Sequence, residues 1–167
     1  MAPRLSRSLT AFTLAALTLP APAMAANTVW SGAINTLWDT VGNWGNGVPS
    51  ATLQAWLGSG VPHTIQLALS SAAEQLVVQA AYTMAGPIGT VLTIADQLYV
   101  IDSGDLTINN NAAISTPNGT VGLDPASSAN KLTLSGNAVS LAVSGVLNIG
   151  YQGTQHLLKL ESGAILN

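Results

Sequence analysis

The chain has 167 residues, of which 48% are apolar and only 7% charged, and it contains no cysteine. Disulfides, thiolate metal sites and thiol nucleophiles are therefore excluded, and a charged fraction far below the usual quarter or so leaves Ser, Thr, Asn, Gln and Gly to build the surface. Of the four cations, Arg4 and Arg7 stand at the very start, so only Lys131 and Lys159 face the seven acids of the remainder; two against seven gives −5, which cannot supply the basic footprint of a nucleic-acid or anionic-membrane partner.

Residues 1–25 read as a secretory signal peptide. Arg4 and Arg7 form a positive n-region, Leu9 to Leu19 an apolar h-region, and Ala23-Met24-Ala25 places small residues at −3 and −1. Cleavage is expected between Ala25 and Ala26. The apolar run is shorter than the 20 or so residues needed to span a bilayer, which argues against an uncleaved anchor, and no membrane-spanning segment is expected in the mature chain. A paired arginine is absent, which favours the general secretory route.

Residues 26–60 hold all four tryptophans, Trp30, Trp38, Trp44 and Trp56, separated by Asn, Gly and Pro. Flat aromatic faces stack on sugars, so each is a candidate glycan contact. Terminal units of stacked folds are also atypical and need covering, and an indole buries about 150–250 Å². The tryptophans are therefore expected mainly to form an N-terminal cap.

From residue 61 to 167 the pattern changes to short runs alternating with period two, among them Val91–Ile94, Gln97–Ile101, Asp105–Ile108, Lys131–Leu134, Val146–Ile149 and Leu157–Leu160. Alternation of this kind buries one face of a strand and wets the other. Turn residues such as Asp102-Ser103-Gly104 and Ser162-Gly163 separate the runs. An apolar–x–apolar unit recurs, at irregular intervals, as Leu92-Thr93-Ile94, Leu106-Thr107-Ile108, Leu132-Thr133-Leu134, Leu147-Asn148-Ile149 and Leu158-Lys159-Leu160. Its middle residues should face outward. Degenerate recurrence of short strands suits an all-β solenoid, a right-handed parallel β-helix whose coils bury their inward residues only by stacking. A β-sandwich or jelly roll needs the same alternation; the very short strands and frequent Asn and Gly favour the solenoid.

Val29-Trp30-Ser31-Gly32, Leu37-Trp38-Asp39 and Gly42-Asn43-Trp44-Gly45-Asn46-Gly47-Val48-Pro49, followed by Gly145-Val146-Leu147-Asn148-Ile149-Gly150 and Leu158-Lys159-Leu160-Glu161-Ser162-Gly163-Ala164, resemble bacterial secreted β-helical proteins. These include autotransporter passenger domains and related surface proteins with sorting tails. The resemblance implies a pectin lyase-like parallel β-helix at the surface of a Gram-negative cell. The chain departs from that pattern by stopping at Asn167 inside what reads as an unfinished repeat, so 61–167 is expected to be a truncated repeat region, with barrel, sorting tail or free release left open.

Candidate chemistry is sparse. Asp96, Asp102 and Asp105 lie close together in the chain and could in principle serve as a carboxylate pair or calcium ligands, but aspartate is a common turn residue and solvated turns are expected. His63 and His156 lack partners at ligand spacing and are expected at the surface. Thr93, Thr107 and Thr133 could line up outside. No catalytic, cofactor-binding or metal-binding residue is assigned. The reading is an exported, non-catalytic structural or adhesive scaffold, secreted or displayed on the cell surface, with surface glycans or other cell-surface proteins as partners. A polysaccharide lyase or hydrolase on the same fold, or a carbohydrate-binding module using the tryptophans, are the alternatives.

Overall fold

The structure, a computed structural model, describes residues 26–58, 63–123, 125 and 128–167. The leader assigned to 1–25 lies outside the described residues, as does Asp124. Fourteen strands occur: β1 (Ala26–Val29), β2 (Leu53–Leu57), β3 (His63–Gln66), β4 (Ser71–Val78), β5 (Ala81–Ala85), β6 (Val91–Val100), β7 (Asp105–Asn109), β8 (Ala113–Thr116), β9 (Asn118–Val121), β10 (Lys131–Ser135), β11 (Ser140–Val143), β12 (Leu147–Ile149), β13 (Leu157–Glu161) and β14 (Ile165–Leu166). A single 3-10 turn, Val41–Asn43, is the only helical element among the described residues.

Every ladder between strands is parallel, and the strands wind into a β-solenoid of about six turns. One sheet has nine strands and the other has five, in the order β3-β5-β7-β10-β13. In the larger sheet β6 pairs with β8 through Val91–Thr93 and with β9 through Gln97–Val100. A complete coil thus carries three strand segments. The first face holds the start of β4 and β6, then β8, β11 and β14. The second holds β1, β2, the ends of β4 and β6, then β9 and β12. The smaller sheet is the third face.

The inward column follows directly from the alternation. On the third face Leu106 pairs with Leu132 and Leu132 with Leu158, while Ile108, Leu134 and Leu160 do the same one step along. On the first face Leu92, Ile114 and Leu141 align, and on the second Val78, Val100 and Val121. All of these except Leu158 and Leu160 are buried and belong to one continuous apolar cluster. Side chains of like shape stack in neighbouring coils, which lets the interior approach the close packing of a folded core. The recurring units predicted from sequence are therefore spread over all three faces: Leu106, Leu132 and Leu158 stand on the third face, Leu92 on the first and Leu147 on the second. Their unequal intervals mark passage between faces within a coil.

At the inward positions of the last described coil, Ile149, Leu160 and Leu166 are 39–45% exposed. The expectation that Leu147 and Ile149 are buried thus holds in part: Leu147 packs half-buried against the core and Ile149 faces solvent.

At the opposite end, β1 is the first strand of the larger sheet, and Leu37 bridges in parallel to Gln66 beside β3, the first strand of the smaller one. The tryptophan segment therefore lies across the starting end of the column. Trp30, Trp38 and Trp44 are at most 5% exposed and join the core cluster, meeting edge to face at 4.9 and 4.8 Å. Asn43, fully buried, organises the loop around them. Its Oδ1 accepts the backbone N–H groups of Ile34 and Asn35, and its Nδ2 donates to Asn35 Oδ1 and the Leu37 carbonyl. All four hydrogen-bonding positions of the amide are used, as burial requires.

Candidate functional site

The outside of the second face carries an aromatic row. Val29 pairs with Trp56, Trp56 with Val77, Val77 with Tyr99, and Tyr99 with Thr120. Their chain neighbours Ala55, Leu57, Leu76, Val78, Leu98 and Val100 point into the core cluster, so alternation sends this row outward. Trp56 and Tyr99 are half-buried, and Val77 between them is only 4% exposed. The Trp56 indole N–H donates to Gln54 Oε1 at 3.2 Å, which holds the ring in place.

Beside this row runs a row of amides, Gln75, Gln97 and Asn118, in register on successive coils. Gln75 donates to Asp96 at 2.5 Å, Gln97 to the Thr120 hydroxyl at 2.8 Å, and Gln79, just past the end of β4, to Asp102 at 2.6 Å. These glutamine amides keep acceptor capacity on their carbonyl oxygens, and each carboxylate keeps further lone pairs.

The third face carries a threonine row. Thr64, Thr83, Thr107 and Thr133 pair in sequence, and Lys159 follows. Thr93, expected in the same row, lies on the first face opposite Ala72 and Ser115. At the early end of this face His63, Thr64, Tyr82, Thr83, Asp105 and Thr107 line a shallow depression of about 160 Å³. Burial raises the Tyr82 pKa above 10.0, and its hydroxyl donates to the Gly58 carbonyl.

Of the three clustered aspartates, Asp96 and Asp102 are held by glutamine amides, and Asp105 forms a half-exposed ion pair with Lys131 at 3.2 Å. The other cation among the described residues, Lys159, pairs with Glu161. Among the described residues, no group of three or more His, Asp or Glu side chains could hold a metal ion, and no helix is long and apolar enough to cross a membrane.

His156 departs from the expected plain surface position. It is half-buried, its Nδ1 lies 3.2 Å from the Asn130 amide, and its Nε2 lies 2.6 Å from the Gln152 carbonyl. Its ring fills the space above Gly122, where a Cβ would come within 2.4 Å of it. The position is structural: Asn130 in turn accepts the Gly104 N–H, so Gly104, Asn130 and His156, on successive coils, brace one corner of the column. His63 lies half-buried beside Tyr82, with ring centroids 5.7 Å apart.

The four tryptophans named as glycan contacts thus separate. Trp30, Trp38 and Trp44 lie in the core, and Trp56 alone presents its ring outside. Nothing in the local sequence distinguishes Trp56; its place in one row with Val77 and Tyr99 depends on the register between coils. What the fold and these rows define is a parallel β-solenoid sealed at one end by tryptophans, with neutral polar and aromatic rows along its faces. Comparison with protein-family models, with curated proteins and with solved structures gave no match.

Proposed function

We propose that the chain is an exported, non-catalytic structural or adhesive protein of the Gram-negative cell surface, its column serving as a rigid carrier for outward-facing contact rows. The observation that carries this reading is the register of neutral side chains on the outer faces: threonines on the third, amides and aromatics on the second. Repeated groups at the parallel-strand spacing of about 4.8 Å make an extended contact surface rather than one convergent pocket. The leader at 1–25 supports export, and the resemblance of the tryptophan segment to autotransporter passengers supports surface display.

The test is expression of the full chain with its own leader in a Gram-negative host. The expected product begins at Ala26, found by intact mass, and is degraded by protease added outside the cells. A full-length product confined to the cytoplasm would overturn the reading.

A further inference from the structure

We propose that the outer second face, centred on Trp56 and Tyr99, binds a neutral, unbranched oligosaccharide; this deepens the adhesive reading and rests on it. Trp56 and Tyr99 flank Val77 in one register row, so their Cα atoms stand two coils apart, roughly 9.5 Å at the parallel-strand spacing. That is close to the repeat of a disaccharide in an extended pyranose chain, so a glycan lying along the column would meet one ring at every second sugar. Val77 between them is only 4% exposed, so the two rings, not the valine, would meet the C–H faces of the sugars.

The flanks supply the hydroxyl-binding groups. Gln75, Gln97 and Asn118 form a row on one side, with the carboxylate of Asp96 attached to Gln75; Gln79 and Asp102 stand on the other side. Amides both donate and accept, and carboxylates accept from hydroxyl pairs, which is the polar complement of a sugar edge. Side chains already tied to one another lose little freedom on binding.

Charge selects against anionic glycans. Asp96 and Asp102 lie on this face, whereas Lys131 and Lys159 both lie on the third face and are each paired with a carboxylate. A uronate or sialic acid chain would meet negative charge with no cation nearby among the described residues.

The experiment is calorimetric titration of the full chain with hexasaccharides of β-1,4-glucose, α-1,4-glucose and β-1,4-mannose, with hexagalacturonate as the anionic comparison. At least one neutral hexasaccharide is expected to bind saturably, and hexagalacturonate at least about tenfold more weakly. Trp56→Ala and Tyr99→Ala should each weaken binding about tenfold, as central aromatic contacts do, while the urea midpoint of Tyr99→Ala stays near that of the parent. Tyr99→Phe should retain most of the affinity. Absence of saturable binding to all three neutral hexasaccharides would overturn the proposal. So would affinities unchanged in both alanine variants, or self-association that depends on Trp56 and marks the face as a contact between two copies. The cell-surface experiment is independent: an exported protein that binds no saccharide sinks only this inference, whereas cytoplasmic retention sinks the scaffold reading whatever the titration gives.

Discussion

Trp44 donates its indole N–H to the backbone carbonyl of Trp38 at 2.7 Å, and the two rings meet edge to face at 4.8 Å. One tryptophan thus satisfies a buried carbonyl and packs on the owner of that carbonyl. The end of an apolar column needs bulk, and a carbonyl buried there needs a donor; the Trp44 side chain provides both.

Trp38 is fully buried, so Trp38→Ala should destabilise the fold by about 3–5 kcal/mol through lost burial and the cavity left behind. Trp44→Phe keeps most of the ring but removes the donor, and should cost about 1–3 kcal/mol for the unpaired carbonyl. Urea unfolding followed by circular dichroism measures both. A Trp38→Ala loss below about 1 kcal/mol, far under the usual cost of such a cavity, would mean that the segment does not seal the column.

The core should weaken toward the last coil. Leu132 is fully buried between Leu106 and Leu158, whereas Leu160 is 45% exposed. Leu132→Ala is expected to cost about 2–5 kcal/mol, and Leu160→Ala under about 1 kcal/mol. Equal losses in the same urea assay would contradict the stacked arrangement.

Gly104 closes the turn after Asp102 and Ser103, both at positive φ. A Cβ at Gly104 would stand 2.3 Å from the Val78 carbonyl oxygen of the preceding coil and 2.9 Å from that of Ile101. Backbone atoms cannot move aside as side-chain ends can, so Gly104→Ala should cost about 3 kcal/mol. Gly89, at φ +88 with open space around it, should lose only about 1–2 kcal/mol on change to alanine, the cost of the left-handed conformation itself. Thermal melts of the two variants order them directly.

Stability should fall in alkali because of Tyr82. Burial raises its folded pKa above the unfolded 10.0, so the folded state holds its proton where the unfolded chain releases it. Its contribution is complete below pH 10 and is lost as pH rises through the folded value. Tyr82→Phe should abolish this part of the decline and cost about 1 kcal/mol at neutral pH for the hydrogen bond to the Gly58 carbonyl. Urea midpoints at pH 7, 9, 10 and 11 provide the comparison.

The all-β solenoid is legible in the sequence because alternation is a local property. Leu106, Leu132 and Leu158 each sit in an apolar–x–apolar unit, and each points to the axis of the third face whatever the coil length. The outer rows are not legible, since they depend on which residues of successive coils meet. Thr64 and Thr83 join Thr107 and Thr133 across coils of unequal length, and unequal turns hide such a row in one dimension. Sequence alone places Thr93 in the wrong row for the same reason. The tryptophans are legible as a group and as a cap, but Trp56 parts from the others only through its register with Val77 and, one coil further, Tyr99. The anchoring of His156 escapes a sequence reading because its partner, Asn130, belongs to the preceding coil.

The register of adjacent coils underlies both the core and the outer rows, and a cysteine pair reads it most directly in a chain that has none of its own. Thr107→Cys with Thr133→Cys places two residues of the threonine row, the second only 5% exposed, on neighbouring coils, about 4.8 Å apart at Cα, inside the roughly 4.4–6.8 Å range of a disulfide. Thr64→Cys with Thr133→Cys places them three coils apart, roughly 14 Å. Mass spectrometry after mild oxidation should find the first pair closed within the monomer and the second open. Closure of the second pair, or failure of the first in a folded protein, would contradict the stacked column.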